Sequence, residues 1–173
     1  MRLFFALPLP PGPGEILGRW QRSHAGIEGW SRPEGLHLTL AFLGTRAPGE
    51  LAALEATGAT VAARHRPFAL RTAGLGGFPE GDRARVLWLG VAPDAALEAL
   101  AADLRGALAA AGEAFDAKPF RAHLTLARFR RARPVAAFTD PPPTAFAADR
   151  LVLFESAPQG CYTALRTWHF RGV

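Results

Sequence analysis

His37-Leu38-Thr39-Leu40 and His123-Leu124-Thr125-Leu126 are the same four residues met twice, 123 − 37 = 86 positions apart in a chain of 173. That separation is half the chain, as expected if two related halves each supply one equivalent strand. Side chains alternate along a strand, so His37 and Thr39 share one face while Leu38 and Leu40 share the other. The second copy sorts the same way. One His-x-Thr on a strand carries little weight, because threonine is a favoured strand residue. Its recurrence at matching places carries much more. Each copy runs on to an alanine, Ala41 and Ala127, which the same alternation puts on the front face and which would leave room beside the imidazole. Two such fronts brought together hold two proton carriers and two hydroxyl donors, a set suited to phosphodiester chemistry.

Working outward, an apolar run at 2–7 ends at Pro8, Pro10 and Pro11 and reads as a strand. Residues 14–25 read as a helix with Ile16, Leu17 and Trp20 on one side. A Pro- and Gly-bearing loop at 30–35 delivers the chain to the first motif strand at 36–43. A second helix is expected at 50–64 and a strand at 67–75. The four glycines and Pro79 of 74–82 predict a loop. A strand at 85–91 opens the second half. From Pro93 to about Ala111, Leu97, Leu100, Leu104 and Leu108 repeat at helical spacing. The second motif strand is expected at 123–129, with Arg128, Arg130, Arg131 and Arg133 clustered at its end. Residues 140–144 form a proline-rich connector, and strands at 150–156 and 162–170 close as a hairpin. The pattern predicts an α+β fold that is bilobal and pseudo-two-fold. Two antiparallel-rich sheets backed by helices flank a central cleft, with residues 1–173 forming a single domain of two interleaved lobes.

Hydrophobic residues make up 49% and charged residues 20%, which is ordinary for a globular protein. Lys+Arg exceeds Asp+Glu by 20 to 15, and only Lys118 among the 20 is lysine. Guanidinium groups favour bidentate contact with phosphate, so the excess leans toward an anionic partner. One cysteine, Cys161, excludes an internal disulfide, suits a reducing compartment and falls short of any zinc-cluster spacing. The N-terminal apolar run is short and lacks a charged lead and cleavage site, so it reads as a strand rather than a signal peptide. No apolar run approaches the ~20 residues of a membrane span. These features predict a cytoplasmic protein with no membrane partner.

The two His-x-Thr-x motifs at this separation resemble the 2H phosphoesterase superfamily. Within it the chain resembles the RNA 2′,3′-cyclic phosphodiesterases, also called the 2′-5′ RNA ligase family. The resemblance takes in Leu36 to Leu40 with Phe42-Leu43-Gly44, Gly77-Phe78-Pro79, Arg85-Val86-Leu87-Trp88, Phe120 to Arg128 and Leu153-Phe154-Glu155-Ser156. It departs at Ala122, where relatives usually carry proline. The resemblance implies hydrolysis of RNA 2′,3′-cyclic phosphate ends to 2′-phosphates, without metal or cofactor, with reversible 2′-5′ joining in some members. By matching position it implies His37 as proton donor, His123 as proton acceptor, and Thr39 and Thr125 as holders of the non-bridging oxygens. It implies a phosphate contact for Arg128 as well. Strict alternation puts position 128 on the face opposite His123, so that contact requires a strand end or a bulge. The expected partner is an RNA end, and nothing implies an obligate protein partner, so a monomer is expected.

Three other readings compete. An RNA-end-binding module without catalysis would use the arginine cluster and aromatic residues, yet binding alone does not need two imidazoles. A metal-dependent hydrolase would use both histidines as ligands, a thin set with no carboxylate motif nearby. A phosphodiesterase of small cyclic nucleotide-derived phosphates would share the same motifs. His24, His65 and His169 lack a Thr two residues on and read as surface or packing residues.

Overall fold

The computed structural model describes residues 1–171. Its elements are β1 (Arg2–Pro8), α1 (Pro11–Arg22), β2 (His37–Thr45), α2 (Leu51–Ala62), β3 (Phe68–Phe78), β4 (Arg83–Val91), α3 (Ala95–Ala110), β5 (His123–Pro134), β6 (Ala145–Ala148), β7 (Arg150–Ala157) and β8 (Cys161–His169). The strands lie in one sheet, ordered β6-β3-β4-β5-β2-β1-β7-β8. All its pairings are antiparallel. The two expected sheets are thus halves that meet edge to edge. Their seam is narrow, for β2 and β5 share one register pair, Leu38 with Leu124. Outward from the seam, β5-β4-β3-β6 mirrors β2-β1-β7-β8, and the pseudo-two-fold passes between the motif strands. The halves interleave, because β3 crosses to pair with β4 while β7 returns to flank β1 with β8 beyond it.

What orients the motif strands is their greasy side. Leu38, Leu40, Leu124 and Leu126 are each no more than 1% exposed. They share a cluster with Leu17 of α1, Leu54 of α2 and the α3 leucines 97, 100, 104 and 108. Burying one leucine is worth about 1.5–3 kcal/mol, and a one-residue slip would exchange both faces. Four leucines therefore decide which way two histidines and two threonines look. The α3 stripe is held in register by Asp94, whose Oδ1 accepts the Leu97 N–H at 2.9 Å. Helix α2 packs on β7, β8 and α3, and α3 packs on β2.

Three sequence expectations need correction. The strand expected at 67–75 runs on to Phe78, so residues 76–78 belong to β3 rather than to a loop. The glycines there make space: a Cβ on Gly76 would lie 2.1 Å from the Trp88 ring, and one on Gly77 would lie 2.2 Å from Ala84 Cβ. Ala41 and Ala127 are not on the front face but in the core, at 1% and 0% exposure. The cause is a bulge in each motif strand. Phe5 faces Ala41 and Ala6 faces Thr39, leaving Leu40 as an extra residue. Leu87 faces Ala127 and Trp88 faces Thr125, leaving Leu126 as its counterpart. Last, β6 is a strand that 145–148 did not announce, being a four-residue edge strand paired with β3, too short for alternation to show.

Candidate active site

His37 and His123 are held in the same way. Each Nδ1 lies 2.7 Å from the carbonyl oxygen two residues earlier, Gly35 for His37 and Arg121 for His123. A carbonyl can only accept, so both Nδ1 atoms carry hydrogen. Each Nε2 is left to gain or lose a proton, and neither makes a hydrogen bond within the described residues. The repeat spacing persists here too, since Arg121 follows Gly35 by 121 − 35 = 86 residues. Both imidazoles are half-buried, as are Thr39 and Thr125 two residues on, whose hydroxyls have no protein partner within the described residues.

The bulge that sends Ala127 inward also restores Arg128 to the front. Alternation resumes one step out of phase, so Arg128 is exposed on the side of His123 and Thr125 while Phe129 is buried. The condition that sequence alternation imposed on Arg128 is met by the bulge at Leu126. Its guanidinium acts on both imidazoles. Burial holds the His37 pKa below the ordinary imidazole value, the Gly35 carbonyl opposes this, and the charges of Arg128 and His123 lower it further. Burial likewise lowers His123 against the Arg121 carbonyl, with Arg128 and then Arg121 adding to the fall. The charge of a protonated His123 is the smallest of the influences that lower His37, and the motif strands that carry the two rings pair at Leu38 and Leu124.

Beyond the seam the strands are wedged apart at equivalent places. Against β5, the Arg128 N–H donates to Gly29 O and the Ser31 N–H to Leu126 O, both at 2.8 Å. Gln21 of α1 secures this loop by donating to Ser31 O at 3.0 Å and Leu126 O at 3.3 Å. Against β2, the Asp116 N–H donates to Phe42 O at 2.8 Å. Phe42 stands in β2 where Arg128 stands in β5, since 128 − 42 = 86. The second wedge is pinned by Arg46, only 8% exposed, which pairs with Glu50 at 2.7 Å and Glu113 at 3.0 Å. It also donates to the carbonyls of Leu43 and Ala114.

Aromatic rings wall both imidazoles, and sequence reasoning assigned none of them a place in the site. Phe4 lies 4.8 Å from His37, Tyr162 stands edge-on at 4.8 Å, and Phe154 is at 5.9 Å. Phe78 meets His123 edge-on at 5.3 Å, with Trp88 at 6.1 Å. Phe4 shows how such a residue escapes the sequence. It is 3% exposed yet lies outside the main core cluster, because it occupies the front face of β1 beside β2. The strand pairing that brings it there is not visible in sequence. The other histidines serve elsewhere: His24 packs among Trp20, Trp30 and Phe138, and His65 pairs with Asp103 at 3.0 Å. His169 is exposed at the end of β8. Among the described residues no three His, Cys, Asp or Glu side chains group as metal ligands, and no helix is long and apolar enough to cross a membrane.

Comparison with known proteins places this geometry. An RNA 2′,3′-cyclic phosphodiesterase of Geobacillus stearothermophilus is 39% identical over 72% of this chain, a match that spans 41% of that relative's length. One from Thermus thermophilus is 37% identical over 99% of this chain and 91% of its own. The solved structure of E. coli LigT complexed with 3′-AMP superposes with a TM-score of 0.79 at 33% identity, covering 98% of this chain and 97% of that one. The sequence profile of the 2′-5′ RNA ligase superfamily matches residues 9–159. With both motifs, the wedged strands and this match over most of its length, the chain belongs to the 2′-5′ RNA ligase superfamily.

Proposed function

We propose that this protein hydrolyses RNA 2′,3′-cyclic phosphate ends to 2′-phosphomonoesters by acid–base catalysis between His123 and His37. The observation that carries the reading is the shared tautomer: two Nδ1–H groups fixed on backbone carbonyls at 2.7 Å, leaving two Nε2 atoms for proton transfer. Relatives named as RNA 2′,3′-cyclic phosphodiesterases, and a superposable structure holding 3′-AMP, support the substrate class. In this reading the chain acts as one domain, on RNA ends in the cytoplasm, as a monomer.

The reaction is an in-line displacement at phosphorus. His123 starts neutral, and its Nε2 takes a proton from water as the oxygen attacks. The P–O3′ bond breaks on the opposite side, and Nε2–H of a protonated His37 gives its proton to the departing 3′ oxygen. Thr39 and Thr125 donate to the non-bridging oxygens, and Arg128 offsets the charge that builds there. The products are a 2′-phosphate and a free 3′ hydroxyl. Exchange with solvent then returns each imidazole to its starting protonation state.

An oligonucleotide with a cyclic end, digested and analysed for phosphate position, tests the assignment. His37→Ala and His123→Ala should each lower turnover by at least ~10²-fold, the usual contribution of a positioned acid or base. The double variant should lose much less than the product of the two. A substrate whose leaving oxygen is strongly acidic needs no proton and should rescue His37→Ala far more than His123→Ala. A 3′-phosphate product, or rescue of the opposite variant, would reverse the polarity. Strictly multiplicative losses would break the shared step.

A further inference from the structure

Between the register pairs Ala84–Arg133 and Val86–Arg128, β4 contributes one residue, Arg85, while β5 contributes four, Phe129 to Ala132. So wide a bulge lifts the segment out of the ladder. Together with the loop at Glu28 and Gly29 it walls a cavity of about 630 Å3. Arg128, Arg130, Arg131 and Arg133 line it, and Glu28 is the one acidic residue among the lining side chains. None of the four guanidiniums forms an ion pair or a hydrogen bond with a described residue, although Arg133 lies over the Phe129 ring at 5.6 Å. Arg46, Arg64, Arg121, Arg150 and Arg166 are each paired with a carboxylate, while other arginines without a described ion pair, such as Arg19, Arg32 and Arg71, do not line this cavity.

We propose that this cavity is a second binding site, a backbone-phosphate track for the nucleotides on the 5′ side of the cyclic end. Four unpaired cations around one hollow repel one another and attract a polyanion. Guanidinium suits phosphate because its donors are planar and forked. Arg128 belongs to both places, lining the cavity while its charge acts on the two imidazoles. A cyclic phosphate caps the 3′ end of its strand, so the covalent continuation runs only to the 5′ side. In this proposal the strand leaves the imidazoles past Arg128, the residue that the cavity shares with the site. The inference rests on the RNA-end reading of the site. It separates an oligonucleotide enzyme from one that acts on small cyclic phosphates.

The test uses the full chain and a series of oligoribonucleotides one to four nucleotides long. Each is prepared with a cyclic end for turnover and with a 2′-phosphate end for equilibrium binding. Arg130→Gln with Arg131→Gln removes two exposed cations and leaves Arg128 in place. Each phosphate neutralised on a single strand contributes a slope of about −0.7 in log K against log salt, so the double variant should lose about 1.4 from the slope. At 0.15 M salt that corresponds to a loss of about tenfold in affinity for the longer ligands. Turnover of the mononucleotide should be unchanged, which also reports correct folding. Wild-type affinity that does not grow with length would overturn the track, as would a double variant that keeps both length dependence and slope. Equal competition by polyglutamate of matched charge would assign the surface to an acidic protein and overturn it too. Should wild-type protein bind with the expected length dependence yet leave the cyclic phosphate intact, the proposed activity falls and the track stands.

Discussion

Replacing Gly29 by alanine should loosen the fold and weaken phosphate binding together. Gly29 has φ of +94°, and a Cβ placed there would sit 2.3 Å from Arg128 O. Real Cβ contacts do not fall below 3.0 Å, so the two backbones must part by at least 3.0 − 2.3 = 0.7 Å. The bond from Arg128 N–H to Gly29 O is 2.8 Å long, and that shift carries it to the limit of a hydrogen bond. A positive φ costs an L-residue about 1–2 kcal/mol, and the lost hydrogen bond costs about 1. The total, about 2–3 kcal/mol, lowers Tm by roughly 5–10 °C at the ~2–4 °C per kcal/mol expected for this chain length. Arg128 moves with its backbone. Losing half of a charge-assisted bond worth ~1.5–3 kcal/mol raises KM for a cyclic mononucleotide about three- to tenfold. Gly26→Ala is the control, because Gly26 has φ of +75° with nothing within 4 Å of its Cβ position. It should pay only the conformational part, with KM unchanged. Thermal melts and initial rates on both variants decide the matter. Should Gly29→Ala match Gly26→Ala in both Tm and KM, the claim that this loop seats Arg128 is wrong.

The pH dependence of kcat/KM should be bell-shaped and centred on the acid side of about 6.5, since the proposed mechanism needs one imidazole charged and one neutral, and burial lowers both pKa values. Arg128→Met removes a charge that opposes protonation of both rings, so the whole bell should move to higher pH as KM rises; a downward move would contradict the electrostatics. Arg46→Met should destabilise by about 3–5 kcal/mol in urea denaturation, because it strands Glu113, 14% exposed, and unpairs two carbonyls. Arg46→Lys should recover little, as an ammonium cannot serve four acceptors spread over three nitrogens. Turnover after dialysis against a strong chelator should equal that before it, and activity lost and then restored by a divalent cation would redirect the mechanism to a metal.

How the site became legible follows from the range of each signal. Alternation is a local property, so His37-Leu38-Thr39-Leu40 and its copy announced two strands, their buried faces and the residues on their fronts. The leucine spacing of α3 and the proline after β1 are equally local. The halves showed through the 86-residue repeat alone, and the pseudo-two-fold between β2 and β5 obeys it down to Gly35 and Arg121, the carbonyls that hold the imidazoles. Where the reading went astray, a distant partner was responsible. Gly76 looked like loop punctuation because the Trp88 ring it makes room for lies on the next strand. Ala41 and Ala127 looked like front-face residues because a bulge depends on which residue the neighbouring strand presents. The same bulge decides that Arg128 faces the histidines, which alternation alone denied.

The two motif strands with their His/Thr and leucine faces and the leucine stripe of α3 were thus determined by the sequence itself, through patterns between residues two to four positions apart, and the duplicated chemistry through the repeat at 86. The aromatic walls of Phe4, Tyr162 and Phe78, the seating of Arg128 against Gly29 and the unpaired arginine cavity were decided by tertiary structure. They depend on β1, β8, β3 and a loop a hundred residues away arriving beside the motif strands. No period in the chain encodes such arrivals, because they are set by which strand edges pair and where those pairings slip.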